Sequence, residues 1–247
     1  MRRLCLGVIG ACLLAGCAVQ ADRPMTEADA RRAALANTDL AVYHLRNDEL
    51  ARARDKAGRA IAQDPRQVGA YLVAAEVESR LDAPELAESF YREALELAPD
   101  NGSVLNNYAG FLCREGRISR ALDLFDMAAG QRLYDNRVVA LANAGRCLAD
   151  AQRYAEAGRY WRAALDDTPG FPPALRGMAE LHLERGDTDA AWAAFSRYTA
   201  VSEETASLLW LGVRIARADD NAERYASFAQ RLRQRFPDSG ETARLTE

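Results

Sequence analysis

The stretches ARDKAGRAIAQDP, residues 53–65, and AESFYREALELAP, residues 87–99, decide the fold of this chain, because they share one pattern at an interval of 34 residues. Each begins with an alanine, carries small or aromatic residues at matching positions and ends in a proline. Apolar residues recur at helical spacing in both, so each stretch is predicted to form an α-helix that its proline terminates. A fixed period of this length indicates an architecture built from repeated helical units.

The same pattern continues through the rest of the chain. Further units are predicted at 102–135, 138–171, 172–204 and 205–238. An insertion of two residues around Arg132–Asn136 lengthens the turn between the third and fourth units. Six units in nearly one register predict a solenoid, in which each helix pair buries its apolar face against its neighbours.

The spacing of alanines and aromatic residues resembles the tetratricopeptide repeat, a unit of two antiparallel helices. The resemblance implies an all-α fold, a right-handed superhelical solenoid of about six tetratricopeptide helix-turn-helix repeats. We assign this domain to residues 27–240 and expect 241–247 to form a frayed helix or a tail.

The N-terminus carries the pattern of a secreted, lipid-modified protein. Two arginines precede an apolar segment, 4–14, which is too short to span a bilayer. Leu13-Leu14-Ala15-Gly16-Cys17 then resembles the lipobox of bacterial lipoproteins, where the signal peptide is cut before the cysteine. We therefore predict a signal peptide over 1–16, acylation of Cys17 with palmitate-like chains, and a lipidated tether over 17–26. The alternative is an ordinary secretory signal with a chance cysteine.

The net charge restricts the classes of partner. The chain carries a formal charge of −4, and loss of residues 1–16 would change it to −6 because they contain two arginines and no acidic residue. An acidic protein is poorly suited to bind nucleic acid, and it lacks the polybasic patch that would attract an anionic membrane. We predict no nucleic-acid partner.

Residues that could support catalysis or metal binding are sparse. The chain has two histidines, and both fall at the eleventh position of a predicted repeat, a position held by His44, Glu78, Leu112, Leu148, His182 and Ile215. Neither histidine has a second histidine or a cysteine pair at metal-ligand spacing, so both are interpreted as packing residues. Phosphate-binding loops and hydrolase or metalloprotease motifs are absent from the sequence. We predict a non-enzymatic protein with no catalytic residue, metal, cofactor or small-molecule substrate.

Cys113 and Cys147 lie on the predicted first helices of the neighbouring third and fourth repeats. A disulfide between them would close a loop of about 35 residues and stabilise the fold by roughly 4 kcal/mol in the chain-entropy model. The alternative is a pair of buried free thiols that pack as small apolar residues. The two residues alone leave both possibilities open.

A tetratricopeptide solenoid binds partners on its concave face, which the first helices line mainly through positions two, five, nine, twelve and thirteen. The resemblance therefore implies a partner-binding groove formed by Leu35, Thr38, Val42, Leu45, Arg46, Leu72, Glu76, Arg80 and Asn106. Its first part is apolar with an arginine rim, which suits an amphipathic segment of a partner protein. The alternative is a register error of one residue, which would turn these leucines toward the core.

Several short motifs resemble the PilF/PilW family of type IV pilus biogenesis lipoproteins. They are Leu105-Asn106-Asn107-Tyr108 followed by Gly110-Phe111-Leu112, Leu133-Tyr134, Leu208-Leu209-Trp210-Leu211-Gly212-Val213-Arg214 and Phe236-Pro237-Asp238-Ser239. The resemblance also includes the signal and lipobox, and so covers nearly the whole chain. One departure is Ala109, because family members usually have glycine directly after Asn-Asn-Tyr.

This resemblance implies a pilotin role, in which a lipid-anchored protein facing the periplasm binds the type IV pilus secretin. The pilotin promotes outer-membrane localisation and multimer assembly of the secretin, and hence pilus biogenesis and twitching motility. Ala18 directly after Cys17 agrees with sorting to the outer membrane, and the resemblance implies that Cys113 and Cys147 are paired. Two alternatives stay open: a tetratricopeptide scaffold lipoprotein of another envelope assembly machine, and an envelope enzyme or its regulatory subunit.

Overall fold

The computed structural model describes residues 25–246, so the predicted signal peptide, Cys17 and most of the predicted tether lie outside the described residues. Over this range the chain forms helices and no strand. Twelve helices form six consecutive pairs, which confirms the predicted all-α solenoid. In chain order they are α1 (Glu27–Arg46) and α2 (Leu50–Gln63), α3 (Val68–Arg80) and α4 (Pro84–Leu97), α5 (Gly102–Arg114) and α6 (Ile118–Gly130), α7 (Arg137–Asp150) and α8 (Tyr154–Asp167), α9 (Pro172–Glu184) and α10 (Thr188–Val201), and α11 (Ala206–Ala218) and α12 (Ala222–Arg235).

Every turn within a helix pair contains one residue in the left-handed backbone conformation. These residues are Asp48, Asp82, Gly116, Gln152, Gly186 and Asp220, with φ between 49° and 74°. In each turn the following backbone N–H donates to the carbonyl five residues earlier, at 2.8–3.0 Å. This closure terminates the first helix and reverses the chain, so the second helix packs back against the first.

The spacing of these turns gives the register of the repeats. The intervals are 34, 34, 36, 34 and 34 residues, so the longer third interval agrees with the predicted two-residue insertion. In that lengthened turn Tyr134 lies against Gly102, where an added Cβ would come within 2.3 Å of the tyrosine. The last interval corrects the sixth repeat, which begins at residue 206 rather than 205. Its eleventh position is therefore Ala216 and not Ile215, because the turn at Asp220 sets the register.

Small residues bring the helices into close contact. The alanines of the second helices that recur at the repeat period have no exposed surface, and they include Ala53, Ala57, Ala60, Ala87, Ala94, Ala121, Ala128, Ala157, Ala164 and Ala191. Trp161 of α8 is 5% exposed and lies between two glycines, Gly145 of α7 and Gly177 of α9. Its indole N–H donates to the carbonyl of Ala142 at 3.3 Å. The buried apolar residues form one large cluster over the second to fifth repeats and smaller clusters toward the two ends.

The C-terminal end of the solenoid is closed by residues beyond α12. Ser239 caps a short helix, α13 (Gly240–Ala243), and a 3₁₀ turn follows at Arg244–Thr246. Leu245 in this turn is 6% exposed and packs with the apolar residues of the last two repeats. The expectation of a frayed helix or tail is therefore corrected, because Leu245 anchors this segment to the core.

Both histidines lie at the C-terminal ends of first helices and are partly buried. His44 Nδ1 contacts the Glu49 carboxylate, and His182 Nδ1 lies 3.6 Å from the Asp187 carboxylate. Each acid belongs to the turn that follows the helix, so each pair joins a helix end to its turn. Within residues 25–246 no group of three or more His, Cys, Asp and Glu side chains is placed to hold a metal ion. None of the helices over the same range is long and apolar enough to cross a membrane.

Candidate functional site

The first helices of the pairs line the inner side of the solenoid. Each of them contacts the first helix of the next repeat, from α1 and α3 through to α9 and α11. Over the described range the second helices make no comparable contacts with one another. The stack is therefore closer on the side of the first helices, which makes that side concave. Its surface is the candidate binding site.

The N-terminal part of the concave face is apolar. Three apolar side chains there are half-buried: Val42, Leu45 and Leu72. Each packs against buried core residues and keeps part of its surface accessible. Leu35, about two turns before Val42 on α1, is 53% exposed. Arg46 is exposed at the edge of this surface. Apolar side chains with a charged edge can hold one face of an amphipathic segment.

Thr38 is buried, so the prediction that it lines the groove is wrong. It is 8% exposed, and its hydroxyl donates to the carbonyl of Ala34 at 2.8 Å. Its methyl group faces Gly69 of α3, where an added Cβ would lie 3.3 Å from Thr38 Cγ2. Because Gly69 has no side chain, α3 approaches α1 closely at this point and covers Thr38.

Glu76 is the centre of a polar network on the concave face. Its carboxylate accepts hydrogen bonds from Arg80 Nε at 3.1 Å, from Arg114 Nη2 at 2.9 Å and from the Tyr91 hydroxyl at 3.4 Å. Burial raises the pKa of Tyr91, and the negative charge of Glu76 raises it further, so the phenol stays protonated and donates. Arg80 also reaches back to the carbonyl of Leu45 at 3.4 Å. Arg80 and Arg114 are therefore held by fixed partners on this face.

Two links join α5 and α7 on the same face. Cys113 and Cys147 form a disulfide with their Cα atoms 5.8 Å apart, the pairing implied by the family resemblance. Asn143 Nδ2 donates to Asn106 Oδ1 at 3.0 Å, which places the predicted groove residue Asn106 in a side-chain pair between repeats. The covalent bond and the amide pair hold the middle of the concave face in one geometry.

The C-terminal half of the concave face is polar and contains a cavity of about 630 Å³ between α7, α9 and α10. Arg146, Asp150, Arg176 and Glu180 line it, and Arg176 Nε donates to Glu180 Oε1 at 2.9 Å. These residues are not among the predicted groove residues. Arg146 and Glu180 nevertheless occupy position nine of their repeats, and Arg176 occupies position five. The rule that positions two, five, nine, twelve and thirteen of each first helix line the concave face (the position rule) therefore also predicts these three residues. Asn143 could not be found this way, because its role depends on how α5 and α7 meet.

Comparisons with known proteins agree with this architecture. A family model for the tetratricopeptide repeat matches residues 148–210. The chain is 27% identical over 228 residues to the type IV pilus assembly protein PilF of Pseudomonas aeruginosa, covering 92% of this chain and 90% of that protein. A solved structure of PilF from this species matches with a TM-score of 0.72 at 26% identity, covering 88% of this chain and 98% of that one.

The crystal structure of PilW, described as a widely conserved type IV pilus biogenesis factor, matches with a TM-score of 0.76. The two chains are 30% identical, and the match covers 87% of this chain and 98% of PilW. Nearly all of the solved PilW chain is therefore matched by this fold. The chain belongs to the PilF/PilW family of tetratricopeptide-repeat proteins of type IV pilus biogenesis.

Proposed function

We propose that this protein is a non-enzymatic, lipid-anchored adaptor of the outer membrane that binds the type IV pilus secretin. It promotes the localisation and multimer assembly of the secretin, and through it pilus biogenesis and twitching motility. The observation that carries the proposal is the match along 98% of the solved chain of PilW, which is described as a pilus biogenesis factor. The apolar N-terminal part of the concave face supplies a physical means of binding.

The concave face would hold an apolar segment of the secretin subunit before the subunit enters its multimer. Leu45 and Leu72 are half-buried, so part of each side chain is accessible to a partner without loss of the core contacts of the other part. Each apolar side chain that a partner covers contributes about 1.5–3 kcal/mol when burial is complete, and less when it is partial. Covering such a segment also keeps it from aggregating with other copies.

The proposed anchor supplies the location. Acyl chains on Cys17 would hold the solenoid at the membrane. One acyl chain gives only weak, reversible membrane binding, whereas several chains together give stable anchoring. Cys17→Ser should therefore release a folded, soluble protein into the periplasm, and secretin multimers in the outer membrane should decrease. Membrane fractionation and circular dichroism measure both effects. Continued outer-membrane fractionation of this variant would show that Cys17 is not the anchor.

Binding by the groove is tested with charged substitutions. Leu45→Glu and Leu72→Glu should each lower co-purification of the secretin about tenfold, which corresponds to about 1.4 kcal/mol of binding free energy. Met127→Glu is the matched control, because Met127 is 45% exposed on α6, a second helix outside the concave face. Circular dichroism should show a folded solenoid in all three variants. Unchanged secretin recovery with folded Leu45→Glu and Leu72→Glu proteins would contradict the proposed groove.

A further inference from the structure

Two cavities meet in the middle of the concave face. The first is the cavity of about 630 Å³ between α7, α9 and α10, and the second, of about 320 Å³, is lined mainly by α5 and α7. Asn143, Arg146 and Asp150 of α7 line both cavities, so the two form one surface across the third to fifth repeats. We refer to this surface as the central groove, and its defining residues are Asn106, Gly110, Asn143, Arg146, Asp150 and Arg176.

Arg146 is an unpaired cation between two paired ones. On α5, Arg114 Nη2 lies 2.9 Å from the Glu76 carboxylate, and on α9, Arg176 Nε lies 2.9 Å from the Glu180 carboxylate. Over residues 25–246 no carboxylate oxygen lies within the 4.0 Å of an ion pair from Arg146, which is exposed where the two cavities meet. Its guanidinium is therefore available to a carboxylate from outside the chain, with which it can form two parallel hydrogen bonds.

Gly110 keeps the central groove open over α5. It occupies position nine of the third repeat, which the position rule places on the concave face. A Cβ added to Gly110 would have Arg114 Nη1 as its nearest neighbour, at 4.0 Å, so the space in front of the helix is unfilled. Beside this opening the Cys113–Cys147 disulfide joins α5 to α7 and fixes the distance between them. The groove is therefore both accessible and preformed.

The polar groups of the central groove match an extended backbone better than a helix. A helix pairs its own backbone N–H and C=O groups, whereas an extended segment leaves them to be paired by its surroundings. The hydrogen bond of 3.0 Å between Asn143 and Asn106 uses only part of their capacity, because each side-chain amide has two N–H donors and an acceptor oxygen. The exposed carboxylate of Asp150 can accept a hydrogen bond from a backbone N–H.

We propose that the central groove is a second binding site, which holds an extended polypeptide segment by its main chain and by one acidic side chain. Arg146 binds the acidic side chain, and the amides of Asn106 and Asn143 pair with peptide groups of the segment. The chain as a whole carries a formal charge of −4, so its overall field does not attract acidic ligands. Selectivity for an acidic residue therefore depends on the single unpaired guanidinium. The inference does not rest on the proposed function, because it concerns a different part of the concave face and a ligand defined by its chemistry.

Fluorescence anisotropy with a defined peptide tests the ligand. The probe is a nine-residue serine peptide with glutamate at its fourth and sixth positions, blocked at both ends and labelled with an uncharged dye. With the full lipidated chain in an uncharged detergent, its anisotropy should rise to saturation, and the same peptide with glutamine in place of glutamate should bind at least tenfold more weakly. A glutamate peptide that does not bind, or that binds no more tightly than the glutamine peptide, would overturn the proposal.

Two substitutions test the location of the site. Arg146→Gln should lower the affinity for the glutamate peptide about tenfold, to that of the glutamine peptide. Arg162→Gln is the matched control and should bind normally, because Arg162 is exposed on α8, a second helix outside the concave face.

Gly110→Leu should abolish binding, because the leucine side chain would fill the open space in front of α5. It should remain folded by circular dichroism, since leucine is a better helix former than glycine. Unchanged peptide binding by folded Arg146→Gln or Gly110→Leu protein would overturn the proposal. The assay contains no secretin, so its failure would leave the proposed function as it stands.

Discussion

Replacing Gly177 with alanine should destabilise the solenoid, although alanine is normally the better helix former. A Cβ at this position would come within 2.3 Å of Trp161 Cε2, inside the distance that real Cβ atoms keep. Overpacking of this kind costs about 1–3 kcal/mol. The change from glycine to alanine within a helix returns about 1 kcal/mol. The net expectation is a loss of about 1 kcal/mol in the free energy of unfolding, or a decrease of roughly 2–4 °C in Tm.

The sign of this effect should reverse when the tryptophan is removed. In a Trp161→Leu background the clash is relieved, and Gly177→Ala should then stabilise its parent by about 1 kcal/mol through helix propensity alone. Gly58→Ala is the matched control in the unaltered chain, because no atom lies within 4 Å of a Cβ added at Gly58. It should stabilise by a similar amount.

Urea unfolding of residues 18–247, followed by far-ultraviolet circular dichroism, measures all four proteins against their parents. A Gly177→Ala protein that gains stability in the unaltered chain, as Gly58→Ala is expected to, would refute the reasoning. It would mean that Trp161 is free to move and that the close packing of α7, α8 and α9 does not depend on the two glycines. The wall that Trp161 forms in the concave cavity would then be mobile.

Two further predictions concern the turns and the cross-link. Gln152→Gly should raise the free energy of unfolding by about 1 kcal/mol, because Gln152 has φ of 59° where glycine is unstrained, and urea unfolding that shows no gain would contradict this. Combined Cys113→Ala and Cys147→Ala substitution should lower the free energy of unfolding by roughly 4 kcal/mol, as a cross-link between residues 34 positions apart is lost. The same urea series with and without a thiol reductant checks the second prediction, and a reductant that leaves the unaltered chain unchanged would count against it.

The helix pairs and their period could be predicted because the interactions that form them are local. The left-handed turns, the alanines that meet across a pair and the apolar spacing all recur within single repeats of the sequence. The sixth repeat is predicted one residue too early because Leu208, Leu209 and Leu211 lie so close together that apolar spacing does not give a unique register. The turn at Asp220 gives the register without that ambiguity.

The binding surface was less predictable because it depends on contacts between repeats. The position rule correctly placed Leu45 and Leu72 partly at the surface, but it also named Thr38, which α3 covers through Gly69. The hydrogen bonds of Glu76 to Arg80 and Arg114 likewise depend on the distance between helices of different repeats. The spacing of residues within one repeat does not determine the distance between helices of different repeats.

The exposed apolar residues of α1 show the same limit. At the level of one repeat, Leu40 and Tyr43 are indistinguishable from core residues, and only the absence of a described helix in front of α1 makes them surface. With the proposed lipid on Cys17, the nine residues from 18 to 26 limit the start of α1 to within about 30 Å of the bilayer. Under the proposed function, a partner segment destined for that membrane would bind near it, on a concave face that the disulfide and the Glu76 network hold in a fixed shape.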